Sequence, residues 1–297
     1  ARFCEINGCK SAPNFDPENV NETLNKWIVG KVAEATGKVA TGIDDYRFNE
    51  AAGGIYQFTW GTFCDWFIEF AKPILQGDDG AAKSETQATA AWVLEQLLLL
   101  LHPFMPFITE ELWAQMGDSK NAMLISAAWP ELGNLSDAGA EAEMDWIVRL
   151  ITQIRSLRVE LNVPDSAKVP LALKNAEDVA ALCVERHGEL IKRLARLETL
   201  ELSDAEVPEG AAQNILGTTT LVMPLAGVIN VDEEKARLDK EIAKLDGEIE
   251  KIDKKLDNEN FTSKAPAEVV EEQKSRRADY ANSKAKVEEA LNRISQL

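Results

Sequence analysis

Three groups of side chains in this 297-residue chain have types and spacings that could hold a nucleic acid. Arg47, Phe48 and Asn49 are consecutive and offer a guanidinium, a ring and an amide. Unpaired bases are held by stacking on aromatic or guanidinium planes and by hydrogen bonds to their Watson–Crick edges, and the trio supplies those group types. Two readings stand: a ring exposed for stacking, or Phe48 in the core with Arg47 on the surface. Arg155 and Arg158 lie three apart, hence on one helical face. They could grip the phosphates of an RNA stem or pair with Glu160 and nearby acids, one serving each purpose. Arg237, Lys244 and Lys251 recur every seven residues, with Lys240 and Lys254 beside them. That stripe could meet a phosphate backbone, or it could be the solvated face of a charged helix.

No catalytic constellation accompanies them. There is no Ser/His/Asp set and no glycine-rich loop after a strand. Gly53-Gly54 falls inside a helical pattern, where close helix packing is the expected reason, and Asp78-Asp79 reads as a solvated turn. Cys4, Cys9, Cys64 and Cys183 are scattered without a Cys-x-x-Cys, and only His102 and His187 could join them, so neither a zinc site nor any other metal site is expected. Free thiols in a reducing cytosol follow. The formal charge of −18 argues against a non-specific DNA or RNA binder and confines any polyanion contact to local patches. Residues 232–297 hold 14 basic and 17 acidic groups, a net of −3, which leaves −15 for the rest. The longest apolar run, Ala88 to Leu101, carries Glu95 and ends at His102-Pro103, too short to span a bilayer. A soluble, cytoplasmic protein with no membrane partner is expected.

The elements that must carry these groups are mostly helical. Asp16-Pro17 reads as an N-cap followed by proline at the first helical position, opening a helix that reaches about Thr41. A second helix from near Asp44 carries Tyr56, Phe58, Trp60, Phe63, Trp66, Phe67 and Phe70, which cover nearly every face and so are mostly core; Pro73 ends it. Helices over about Lys83–Leu101, Phe107–Gln115 and Ala140–Leu161 complete a bundle over residues 1–162. Strands at Lys168–Leu173, Leu197–Leu202 and Thr218–Pro224, with a helix over Asp178–Arg196, make a small α+β module over 163–230. From 231 to 297, Leu238, Ile242, Leu245, Ile249, Ile252 and Leu256 follow the spacing of a coiled-coil seam. Asn230 with Glu233 resembles a capping box. Asn258 to Ser263 breaks the pattern, and Pro266 opens a return helix with Val270, Tyr280, Val287, Leu291 and Ile294. The fold class is mainly α, ending in an antiparallel coiled-coil hairpin whose first helix projects roughly 39 Å. Asp239, Asp246 and Asp253 flank the seam, while the basic stripe points away from it.

Two segments read together as one family's wording: Tyr46-Arg-Phe-Asn-Glu-Ala-Ala52 continuing to Phe63-Cys-Asp-Trp66, and Leu101-His-Pro-Phe-Met-Pro-Phe-Ile-Thr-Glu-Glu-Leu-Trp113. They resemble the anticodon-binding helical domain of valyl-tRNA synthetases. Leu221 to Asn230 resembles that family's lead-in to its carboxy-terminal arm, and Asn260 to Val270 the bend of the arm. The resemblance implies that the bundle binds the anticodon arm of tRNA(Val), with Arg47, Phe48, Asn49, Arg155 and Arg158 as candidates. It implies that the hairpin supports the outer corner of the tRNA, through Arg237, Lys240, Lys244, Lys251 and Lys254. The family joins valine to tRNA at the expense of ATP, on a nucleotide-binding domain whose signatures His-Ile-Gly-His and Lys-Met-Ser-Lys-Ser occur nowhere in this chain. A start at Ala1 fits an excised piece that holds no cofactor, is inactive alone and is monomeric. A coiled-coil oligomerisation protein and a stand-alone RNA-binding factor are the alternatives.

Overall fold

A computed structural model of the protein describes residues 1–12, 14–116, 122–208, 210–225, 231–258 and 266–295. It divides into two compact units, residues 1–148 and 149–297. The Asn230 half of the expected capping box, most of the expected break at 258–263 and the side chain of Ile294 lie outside the described residues.

The first unit is a helix bundle. After α1 (Arg2–Ile6), its main helices are α2 (Thr23–Asp44), α3 (Phe48–Gln57), α4 (Ile68–Gln76), α5 (Ala81–Leu101), α6 (Pro106–Ala114) and the first part of α7 (Ala138–Glu160). α5 is buried on most sides from Thr89 to Leu100, as its apolar sequence implies, and α2 packs against both α3 and α5. Val39, Ala51, Ile55 and Leu100 form a buried cluster at the α2–α3–α5 meeting point.

Three features differ from the sequence expectation. Asp16 does cap, accepting the Glu18 N–H at 3.0 Å, but it caps a single 3-10 turn, Pro17–Asn19, and α2 starts only at Thr23. The capping group of α2 comes from another helix. Glu85 of α5 accepts the backbone N–H of Asn21 and of Glu22, each at 2.9 Å, and the Asn25 amide at 2.9 Å. A cap lent across sixty residues leaves no local signal. Second, Pro73 does not end its helix, because α4 continues to Gln76. The helix carries on for three residues past Pro73 without the hydrogen bond that a proline nitrogen cannot donate.

Third, the aromatic stretch is not a plain α-helix. Phe58–Phe67, continuous with α3 and α4, is π-helical, with the Ile68 N–H donating to the carbonyl of Phe63. The wider turn buries residues at spacings of five and four (Phe58, Phe63 and Phe67) and leaves Trp60 more than half exposed. Phe70 is buried as well, while Tyr56 is exposed and Trp66 half-buried.

The second unit holds the rest of α7, a four-stranded sheet and two long helices. The sheet order is β2-β1-β4-β3, from β1 (Val169–Lys174), β2 (Leu197–Leu202), β3 (Ala211–Leu216) and β4 (Thr219–Pro224). β1 and β2 run parallel and are joined by α8 (Asp178–Ala195); β4 pairs antiparallel with both β1 and β3. β3 is an edge strand whose Gln213 and Ile215 face outward while Asn214 lies on the inner side, so its residue types lack the apolar–polar alternation that marks a strand. The β3–β4 turn uses Gly217 at φ +63°, and Glu177 accepts the Thr218 N–H at 3.2 Å. The last two helices, α9 (Val231–Leu256) and α10 (Ala267–Ser295), pack along each other as an antiparallel hairpin.

The shared cap at Glu85 yields a stability prediction. Its hydrogen bonds outweigh the cost of partial burial and hold the carboxyl below its ordinary value. A carboxylate depressed in the folded state stabilises the fold above its unfolded pKa and loses that contribution as pH falls through the folded value. Glu85→Ala should therefore cost about 1–2 kcal/mol near pH 7. The gap in urea midpoint between variant and parent should close below about pH 4; a gap independent of pH would show that the charge is not what caps α2.

Candidate nucleic-acid interface

The Arg47-Phe48-Asn49 trio sits at the corner where α2 ends and α3 begins. α2 stops in a Schellman arrangement: the Arg47 N–H donates to the Gly42 carbonyl at 2.7 Å, and the Tyr46 N–H to that of Ile43 at 3.0 Å. Such a stop needs one left-handed residue, and here it is Tyr46, at φ +59°. A bulky aromatic residue is unusual there. The conformation turns its ring outward, 82% exposed, edge-on to Phe48 with ring centroids 6.2 Å apart.

Arg47 then occupies the N-cap of α3, and Arg47, Phe48 and Asn49 are all exposed. The structure thus has the Phe48 ring outside the core, half exposed, on the rim of a recess of about 490 Å³ lined by Ala40, Ile43, Pro103, Phe104 and Trp129. Arg47 is not an isolated cation: it donates to Asp45 at 2.7 Å and to Glu50 at 2.8 Å. Those acids hold the guanidinium plane at the corner. Tyr46 was missed as a candidate, since a left-handed tyrosine announces itself only in the backbone.

What allows the corner is a close approach. A Cβ on Gly42 would meet the Cβ and the backbone N of Ala51 at 3.1 Å each. The expected close packing at Gly53-Gly54 is not found. A Cβ on Gly53 would meet nothing within 4 Å, and one on Gly54 would reach only Val39, at 4.0 Å.

A second aromatic surface in this unit was not anticipated. Tyr56, Trp60 and Trp66 border a groove of about 660 Å³ together with Trp27, Lys31, Lys38 and Asp145. Asp145 fixes one wall by accepting from the Trp27 indole at 2.7 Å and from Lys31 at 2.9 Å.

The second unit spends its two arginines on its own backbone. Arg158 is buried and donates to the carbonyls of Arg196 (3.3 Å), Pro164 (3.0 Å) and Ala167 (2.8 Å). Burial and the neighbouring Arg196 lower its pKa. Three carbonyls at one guanidinium leave it no face for a phosphate. Arg155 is exposed and donates to the Leu194 carbonyl through Nε at 3.3 Å and a terminal nitrogen at 3.1 Å.

In the hairpin, charge is divided by face. Asp246 accepts from Lys284 at 2.6 Å, and Asp253 pairs bidentately with Arg277. The two ties lie seven residues apart on each helix, as an antiparallel heptad pairing requires. They raise the pKa of Lys284 and lower that of Asp253. Leu238 and Ile252 are buried in the seam with Ala290 and Gln273. Arg237, Lys240, Lys244, Lys251 and Lys254 are all exposed. Three of them form ion pairs within their own helix: Arg237 with Glu241 at 2.8 Å, Lys251 with Glu248 at 2.6 Å and Lys254 with Glu250 at 2.6 Å. Among the described residues, no three His, Cys, Asp or Glu side chains are grouped to hold a metal ion, and no helix is long and apolar enough to cross a membrane.

Two family models match stretches of this chain. Residues 25–173 match the model of the anticodon-binding domain of tRNA ligase, and the chain belongs to that family. Residues 230–295 match the valyl tRNA synthetase tRNA binding arm. The chain is 47% identical over 299 residues to a valine–tRNA ligase of Caulobacter vibrioides, covering 99% of this chain and 33% of that protein. It is 47% identical to one of Brucella suis and 43% to one of Rhizobium meliloti, again over 99% of this chain. The chain spans about a third of the length of these curated relatives.

Two glycine substitutions test the corner. Gly42→Ala should destabilise by about 1–3 kcal/mol, since the new methyl forces α2 and α3 apart. Gly53→Ala, in open space within α3, should stabilise by about 0.5–1 kcal/mol. Chemical denaturation of both would check this, and equal effects would mean that the α2–α3 approach is not tight at Gly42.

Proposed function

We propose that this chain is the tRNA-holding part of a valine–tRNA ligase, serving ATP-dependent joining of valine to tRNA(Val) by a catalytic domain it does not itself contain. In this reading residues 1–162 bind the anticodon arm, 163–230 form a linking module, and 231–297 brace the outer corner of the tRNA. The observation that carries the proposal is the α2–α3 corner, where Tyr46 and Phe48 hold two exposed rings beside an oriented guanidinium. Rings and guanidinium planes are what splayed-out bases stack on. Arg47, Phe48 and Asn49 are assigned to the anticodon loop. Arg155, the exposed member of its pair, adds a phosphate contact, while Arg158 holds the fold. Arg237, Lys240, Lys244, Lys251 and Lys254 are assigned to the corner. A monomer in the cytoplasm completes the proposal, supported by a hairpin whose ion pairs close on α9 and α10 and by four free cysteines. A tight dimer in sedimentation would favour an oligomerisation role instead.

Phe48→Ala should weaken tRNA binding by about 1–3 kcal/mol through lost stacking, without lowering thermal stability. Tyr46→Gly relieves a left-handed conformation that costs L-residues about 1–2 kcal/mol, so stability should hold or rise while affinity falls. Binding that simply follows the folded fraction in either variant would remove the corner from the interface.

Replacing Arg237, Lys244 and Lys251 together by Gln leaves the seam and both cross-helix ties intact, so helicity should change little. Affinity for full-length tRNA should fall, and its salt dependence should become shallower by at most about one unit per lost phosphate contact. An isolated anticodon stem-loop should bind the variant unchanged. Equal losses for both RNAs would contradict a corner contact, and no loss for either would make the stripe a solvated face.

A further inference from the structure

α1 closes on a turn whose chemistry the tRNA reading does not use. The Cys9 N–H donates to the Cys4 carbonyl at 2.8 Å, and inside it the Gly8 N–H donates to that of Glu5 at 3.3 Å. Gly8, at φ +66°, supplies the left-handed residue. This is a Schellman stop, which brings the side chains of its first and last residues together, ordinarily as an apolar contact. Here both residues are cysteines. Given standard bond lengths, the 2.8 Å hydrogen bond keeps their Cα atoms within about 6.7 Å of each other. A disulfide spans Cα separations of about 4.4–6.8 Å.

Both thiols are free and almost fully buried. Each affects the other's proton. The Cys9 S–H is directed to the Asn7 carbonyl, with sulfur and oxygen 4.0 Å apart, and hydrogen bonding between the two thiols lowers the Cys4 pKa against the opposing effect of burial while it raises that of Cys9. The Cys64 thiol is pushed up by burial and by Asp65.

We infer that Cys4 and Cys9 are a paired modification site, oxidised by small-molecule disulfides to an intramolecular disulfide within the cap of α1. When α1 opens locally from α5 and uncovers Cys4, its thiolate attacks one sulfur of the small disulfide, and the first small thiol leaves. Once Cys4 is bonded, its hydrogen bond and negative charge no longer hold the Cys9 proton, and burial alone opposes its loss. Cys9 then ionises and attacks the Cys4 sulfur, expelling the second small thiol. Two protein thiols are oxidised, one small disulfide is reduced to two thiols, and two protons pass to those thiols. In the reduced protein the Cys4 S–H donates to the Ala90 carbonyl of α5, with sulfur and oxygen 3.8 Å apart. A disulfide has no S–H, so oxidation removes that tie, while the Gln87 amide still donates to the Asn7 carbonyl at 2.8 Å. α1 is then held to α5 by one hydrogen bond fewer.

The test uses the reduced full chain and oxidised glutathione, followed by alkylation of the remaining thiols, digestion and mass spectrometry. The expected result is a peptide pair in which Cys4 and Cys9 have together lost two hydrogens, escape alkylation and carry no glutathione. A Cys9→Ser chain should instead keep one glutathione on Cys4. The inference is overturned if Cys4 and Cys9 are both alkylated while Cys64 is converted. It is overturned equally if the parent chain keeps glutathione on Cys4 as the Cys9→Ser chain does.

Discussion

The α2–α3 corner rests on a missing methyl group. Only because Gly42 has no side chain can the α3 backbone at Ala51 approach α2 so closely. That approach buries Val39, Ala51 and Ile55 against Leu100 and draws the two helices into a tight turn. The turn leaves room for a single left-handed residue between the Gly42 carbonyl and the start of α3, and it falls on Tyr46. The exposure of Tyr46, Arg47 and Phe48 is thus a consequence of packing in the core behind them. A larger residue at position 42 would disturb the display without touching any displayed side chain.

How legible the molecule is from its sequence depends on where each signal originates. The mainly helical class and the small α+β module arise from local periodicity and agree with the structure, although β3 was not among the expected strands. What was lost involves partners distant in sequence or backbone states that no pattern marks. The cap of α2 comes from Glu85, so Asp16-Pro17 was taken for its start. The π-helical stretch changes the period at which Phe58, Phe63 and Phe67 return to the core, so an α-helical count could not tell them from Trp60. At the candidate site, residue type identified Arg47, Phe48 and Asn49 as a group, but not the neighbour Tyr46. Arg158 has a type and spacing suited to RNA, yet three carbonyls around its guanidinium give it a structural task.

The hairpin has a different logic. Lys284 and Arg277 of α10 stand where a seam would ordinarily place apolar side chains, and each is answered by an acid of α9. A purely apolar seam slides between registers one heptad apart at modest cost, because every layer resembles the next. Asp239 recurs at the same interval as Asp246 and Asp253, so a slip of one heptad would bring Asp239 to Lys284 and Asp246 to Arg277 and keep both cations paired. The pairs are exposed, so they add little to stability, and repeating with the heptad they do not by themselves choose the register.

The net charge of −18 then constrains how such a chain can meet a polyanion. At the corner, Arg47 is paired with both Asp45 and Glu50, two acids to one base, so the local charge is net negative and, in the proposed interface, attraction would have to come from stacking on Tyr46 and Phe48. On α9, Arg237, Lys251 and Lys254 each have a glutamate within their own helix, which keeps the stripe from acting as a bare basic patch. A phosphate approaching the stripe must compete with a carboxylate already in place. The gain per contact is therefore smaller than for an unpaired lysine, and stray nucleic acid is bound poorly. In the proposed function, selectivity for a nucleic acid would therefore come from geometry more than from charge.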